Sequence, residues 1–236
     1  MQGGITMTTF TAASTPADIV KLFPKASDLF KEKQIDFCCG GDKPLQETFQ
    51  QQELDGEAIL NELNTTYEQW TAEGHVAKDW NEESLTDIID HIVHRHHAYL
   101  YRELPVVQEY VTKIYRVHGM DHPHLKELQR LYNEFRLEME EHSLKEEREV
   151  FPLIKQYEKN PNDALLEEIR IANGGLEDEH DVSGNLLKEM RKLTNGYELP
   201  EGACNTYSMT YERLKEMEEE TFQHVHLENN ILFKRL

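Results

Sequence analysis

The sequence is short of the features that mark several large protein classes. It has three cysteines in 236 residues, the adjacent pair Cys38-Cys39 and the distant Cys204. That excludes a disulfide scaffold and favours a reducing, cytoplasmic setting. No apolar run approaches the roughly 18 residues of a membrane-spanning helix. The start, Met1 to Thr6, lacks a basic n-region and an apolar h-region, so no secretory signal is expected; Met7 offers an alternative start. Basic residues are scarce: 25 Lys and Arg against 45 Asp and Glu give a net charge of −20. That argues against nucleic acid or an anionic membrane as partner, because both would repel the chain. Long self-similar periods, low-complexity tracts and β-branched runs bounded by turns are also missing, which excludes repeat and all-β architectures.

Almost every segment instead has helical hydrophobic spacing, and the chain reads as all-α. Residues 14–70 form a small helical unit. Thr15-Pro16 starts a helix, Pro24 breaks it, Gly40-Gly41 turns the chain, Pro44 opens another helix and Asp55 caps a longer one. Residues 71–83 read as a linker. Residues 84–236 carry four long helical patterns joined by short loops, which predicts an antiparallel four-helix bundle. The first starts at the Ser84 N-cap, with a kink expected near Pro105; the second bends near Pro152; the third is split at Asn173-Gly174-Gly175; the fourth runs from about Asn205 to the end.

What the chain does have is histidine. All 12 lie between His75 and His226. Two pairs have His-x-x-x-Glu spacing, His142 with Glu146 and His224 with Glu228, which stacks both side chains on one helix face. In so acidic a chain about two such pairs arise by chance, so register must decide. Phe135, Met139, His142, Glu146, Val150 and Leu153 form one apolar stripe. Met217, Thr221, His224, Glu228, Ile231 and Leu232 form another. In the first helix Val93, His97, Leu100 and Leu104 share a face; in the third Leu176, His180, Gly184 and Leu187 do. Four helices thus offer four inward His and two inward Glu, and a buried carboxylate beside a buried imidazole is costly unless paired or metal-bound. Six side chains exceed one tetrahedral zinc. Two six-coordinate ions, four nitrogens, two bridging carboxylates and an oxo or hydroxo bridge leave one open position per ion. Such a donor set suits iron, with manganese second. Ferritin-like sites, built on two Glu-x-x-His motifs, fit poorly.

The segments HHAYLYRELP, EEHSLKEEREVFPLI, DEHDVSGNLL and HVHLENNILF resemble the hemerythrin-like domain of the di-iron proteins that repair iron–sulfur clusters, the repair of iron centres family. IDFCCGGDKPL resembles that family's amino-terminal domain. The resemblance spans most of the chain from about residue 14. It implies two non-haem irons per chain on His97, His142, Glu146, His180, His224 and Glu228. It also implies repair of clusters damaged by nitric oxide or peroxide, by iron donation or nitric oxide reduction. Damaged iron–sulfur proteins would be clients, nitric oxide or oxygen the small ligand, and a homodimer the assembly. Whether the centre is enzymatic, as a nitric oxide reductase would be, stays open. The alternative is a reversible carrier or sensor of oxygen or nitric oxide, although oxygen-carrying hemerythrins have one more His ligand and use Asp as well.

Other residues invite over-reading. From the residues alone Cys38 and Cys39 are as readily a buried turn as a redox or iron-handling pair; the resemblance favours function. Cys204 reads as structural or exposed. His118, His122 and His124 read as a solvated loop, with a second metal site or proton shuttling as the rival. His94, one turn before His97, is placed to support the ligands; His226 should face away from them. Gly184 leaves room either for a diatomic ligand or for close helix packing. Tyr99, Tyr101 and Glu218-Glu219-Glu220 read as surface or rim.

Overall fold

In the computed structural model residues 9–236 are described; the start and Met7 lie outside the described residues. The chain divides into two compact units, Met1–Glu82 and Glu83–Leu236.

The first unit contains α1 (Pro16–Leu22), α2 (Ala26–Glu32), α3 (Leu45–Gln51) and α4 (Gly56–Ala72). Thr15 and Asp55 cap α1 and α4 by accepting the backbone N–H of Asp18 and Ala58. Its core is aromatic. Phe23, Phe30, Phe37 and Phe49 are buried, and Tyr67 lies 4.9 Å from Phe10 and 5.4 Å from Phe23, ring centre to ring centre.

The second unit is built of four rods. The first joins α5 (Leu85–His91), a π-helical segment Ile92–His97 and α6 (Ala98–His118). The second joins α7 (His124–Lys145), a π segment Glu146–Val150 and α8 (Phe151–Lys159). After α9 (Asp163–Asn173) comes the third rod, α10 (Leu176–Leu193), entered through Gly175 at φ 93°, a left-handed conformation suited to glycine. The fourth is α11 (Asn205–Leu227) with a π segment Glu228–Leu232 and a short 3₁₀ turn, Phe233–Arg235. α7 packs on α6 and α10, and α11 packs on the same two, closing a four-rod ring.

Ser84 caps α5 as expected, accepting from Asp87 N–H at 2.9 Å. Glu158 of α8 reinforces that cap, accepting from the Leu85 and Thr86 N–H groups at 2.5 and 3.1 Å. Pro105, where a kink is expected, lies inside the uninterrupted α6. The irregularity sits earlier, in the π segment before α6. Pro152 falls in the first turn of α8, directly after the second π segment.

The π segments also correct two positions of the hydrophobic stripes. Ile92, five residues before His97, is fully buried, whereas Val93, four before it, is only half-buried. Likewise Phe151 and Ile154 are buried while Leu153 is half-buried. A π turn adds one residue, so the inward face advances by one position. α10 has no such segment, and its predicted stripe, Leu176, His180, Gly184 and Leu187, is buried throughout.

Candidate metal centre

His97, His142, Glu146, His180, His224 and Glu228 meet at the middle of the ring, each at most 3% exposed. They form two facing pairs. Nε2 of His142 lies 2.8 Å from Nε2 of His180, and Nε2 of His97 lies 3.1 Å from Nε2 of His224. Two four-residue clusters result, His142 with His180 and His97 with His224, and Glu146 and Glu228 belong to both. Glu228 spans them: Oε1 is 2.7 Å from His224 Nε2 and Oε2 is 3.1 Å from His180 Nε2. Glu146 Oε2 sits 3.3 Å from His97 Nε2 and 3.4 Å from His142 Nε2.

The outer nitrogens fix which way each ring presents its lone pair. His97 Nδ1 donates to Glu147 Oε1 at 2.8 Å, His142 Nδ1 to Glu179 Oε2 at 2.9 Å, and His180 Nδ1 to Asn229 Oδ1 at 2.8 Å. With Nδ1 carrying the proton, Nε2 turns a lone pair inward. At the His142–His180 pair the two Nε2 atoms then meet across 2.8 Å, a contact that needs a cation between them, either a proton or a metal ion. Both oxygens of Glu146 and Oε2 of Glu228 are buried with no hydrogen-bond partner among the described residues. Orphaned buried carboxylate oxygens facing imidazole lone pairs fit a divalent metal with oxygen and nitrogen ligands.

Without a metal, protons meet the same demand for positive charge. Burial pushes the Glu228 carboxyl up, but His224 and His180 outweigh it and hold the group well below the usual range. Glu146 is also held down, His142 and His97 prevailing over burial and the Glu228 charge. Burial pulls His142 and His97 down, yet the Glu146 carboxylate raises both, His142 to about 10. Burial lowers His224 to about 4 in spite of Glu228. Two buried carboxylates thus draw positive charge into the cluster wherever an imidazole can supply it.

The π segments explain how six ligand-type side chains converge. Each of two segments sends consecutive residues to the cluster: Glu146 to the inner nitrogens and Glu147 to His97, Glu228 to the inner nitrogens and Asn229 to His180. On an α-helix neighbours diverge by about 100°. Sequence period alone therefore does not point to Glu147 or Asn229; Glu179, on the regular α10, adjoins His180 yet reaches His142 on a different rod, which only packing decides.

Several expectations need correction. His94 is exposed and donates to the Asp90 carbonyl; the histidine beside the cluster is His96, buried, stacked on His224 at 5.7 Å and 3.3 Å from Glu220. His226 is in neither ligand cluster, as expected, but it is buried at 3% exposure, with Nδ1 3.2 Å from Asn230 Nδ2. Tyr99 is buried, and Glu218 is buried against Arg191 at 2.7 Å. Tyr101 is exposed and donates to Glu147. His118, His122 and His124 cluster around Tyr207 and Tyr211 at the loop end, and the exposed Cys204 lies 3.2 Å from His118 Nε2.

In the first unit Cys38 is buried and Cys39 half-buried, their sulfurs 3.6 Å apart and not covalently joined. Asp36 Oδ1 gathers this turn, accepting the N–H of Cys38 at 3.0 Å and of Cys39 at 3.1 Å. A side chain at Gly41 would fall 2.4 Å from the Phe37 carbonyl oxygen, so the turn requires glycine there.

Comparison with known proteins agrees with both units. Residues 13–67 match the ScdA_N domain of unknown function (DUF542), and residues 88–236 match the hemerythrin HHE cation binding domain. The chain is 37% identical to the iron-sulfur cluster repair protein ScdA of Staphylococcus epidermidis, over 93% of this chain and 96% of that one. It is 36% identical to ScdA of Staphylococcus haemolyticus, over 95% and 98%. It is 37% identical to the iron-sulfur cluster repair protein YtfE of Pectobacterium atrosepticum, over 90% and 91%. With its ScdA_N domain, its hemerythrin HHE domain and relatives matched along nearly their whole length, the chain belongs to the ScdA/YtfE family of iron-sulfur cluster repair proteins.

Proposed function

We propose that this protein repairs iron–sulfur clusters damaged by nitric oxide or peroxide. Two iron ions per chain, joined by an oxo or hydroxo bridge, would be held by His97, His142, Glu146, His180, His224 and Glu228. The observation that carries the reading is the pair of facing Nε2 atoms at 2.8 and 3.1 Å with two buried carboxylates shared between them. When bound, the irons supply redox chemistry towards nitric oxide or oxygen and a store of iron for a damaged cluster.

The protein's own residues do the rest. Glu147, Glu179 and Asn229 hold three imidazoles with Nε2 inward. Glu146 and Glu228 compensate the charge of the ions, and the surrounding core (Phe151, Met139 and Leu100 are each at most 2% exposed) restricts water. Residues 14–70 would form the thiol-bearing domain and 71–83 the linker. Cys38 and Cys39 would act as the redox or iron-handling pair. A cytoplasmic setting and a homodimer complete the proposal; no helix among the described residues is long and apolar enough to cross a membrane.

Anaerobic metal analysis with Mössbauer spectroscopy tests the centre, and recovery of activity in a nitric-oxide-damaged iron–sulfur enzyme tests the role. Two antiferromagnetically coupled irons and restored client activity are expected. Zinc in place of iron overturns the cofactor. Reversible nitric oxide or oxygen binding without client recovery favours the carrier or sensor.

A further inference from the structure

The four imidazoles are not held alike. His142 and His180, which face each other, both donate from Nδ1, to Glu179 and to Asn229. Glu179 is itself anchored by Lys145 Nζ at 2.9 Å. In the other pair only His97 has such an acceptor, Glu147. His224 is fully buried, and its Nδ1 has no hydrogen-bond partner among the described residues. Its ring is positioned by packing instead, nearly parallel to His96 at an interplanar angle of 9°.

From this asymmetry we infer that the two metal positions are unequal: the His142–His180 position fills first and empties last, and the His97–His224 position holds the exchangeable ion. The inference rests on the two-metal reading above. An acceptor at Nδ1 holds the ring in its ligating orientation, fixes the tautomer and increases electron density at Nε2. Removing such a partner costs about 10–100-fold in metal affinity. One position has two of these supports and the other has one. The bridging carboxylates do not cancel the difference, because Glu146 and Glu228 serve both positions. Under repair by iron donation, one firmly held ion would keep the ligand cluster assembled while its neighbour leaves.

The experiment loads full-length metal-free protein anaerobically with Co(II). At one equivalent, proton NMR should show hyperfine-shifted, exchangeable Nδ1–H signals of two imidazoles, assigned by their loss in His142→Ala and His180→Ala. At two equivalents, excess EDTA should remove the ions in two phases of equal amplitude with rates about 10-fold or more apart. Glu179→Gln and Asn229→Ala should speed the slow phase, and Glu147→Gln the fast one. Removal in a single phase, first occupancy of His97 and His224, or a slow phase that responds to Glu147→Gln overturns the inequality alone. Uptake of fewer than two ions by the wild-type protein overturns the two-metal reading and the inequality with it.

Discussion

Glu146 concentrates the chemistry of this protein in one side chain. Its carboxylate is fully buried, lies within 3.4 Å of two imidazoles from different rods, and has no hydrogen-bond donor among the described residues. A group in that state is tolerated where a cation completes it. Glu146→Ala should therefore lower bound iron below two per chain and weaken retention of the remainder by about 10-fold or more. Elemental analysis after gel filtration checks this, with circular dichroism confirming retained helix. Full metal content would remove Glu146 from the ligand set. Cys38 and Cys39 make the opposite case. They sit in the first unit, on a turn organised by Asp36, and none of the six cluster residues comes from that unit. Cys38→Ser with Cys39→Ser should leave the iron content of the protein unchanged while reducing client recovery in the repair assay.

Helix termini and π segments govern the next scale. The N-terminus of α5 is satisfied twice, by Ser84 from within the chain and by Glu158 from α8. Ser84→Ala should cost about 1 kcal/mol in chemical denaturation. Glu158 adds a pH dependence. Burial pushes its carboxyl up, but the hydrogen bonds from Thr86 and Leu85 prevail and hold it below the usual value of 4.5. A group lowered in the folded state contributes stability that is present above pH 4.5 and lost as pH falls through its folded value. Glu158→Gln should therefore cost stability at pH 7 and progressively less below pH 4.5, read from melting temperatures across that range. The π segments carry a sharper expectation. Deleting Arg148 would convert Glu146–Val150 to an α turn and rotate α8 by about one residue relative to His142. Metal content should fall with helix content nearly unchanged. These segments are also where sequence reading failed. The stripe through α10 is regular, and every position read from it is buried, whereas Val93 and Leu153 were misplaced by one residue. A π turn leaves no hydrophobic period of its own. Its effect, two neighbouring side chains directed to one site, is visible only in the packed bundle.

At the scale of the molecule, the net charge of −20 is carried outside while two carboxylates of the bundle are drawn into its middle. A metal held by the proposed ligands would couple its binding to the folding of the second unit. The six cluster residues come from all four rods, so an ion bound to the folded state alone would add about 2.7 kcal/mol at 100 times its dissociation constant. Chelation should accordingly lower the melting temperature of the bundle reversibly, with calorimetry of metal-free and reloaded protein as the check. The acidic exterior also bears on partners, since a client surface would have to tolerate or complement it.

The sequence by itself determined the all-α class, the capped helix starts at Thr15, Asp55 and Ser84, the turn through Gly41, and the six residues that meet in the bundle. Each follows from a local rule: helical period, cap chemistry, backbone space, or imidazole and carboxylate sharing an apolar stripe. Tertiary structure alone decided the rest. It set the pairing of His142 with His180 and of His97 with His224, the roles of Glu147, Glu179 and Asn229, and the burial of His96, His226 and Glu218. Those depend on which rod lies opposite which and on where a π turn shifts the register. No periodicity in a single helix records either, because both are settled only when the four rods pack and their buried charges must be matched.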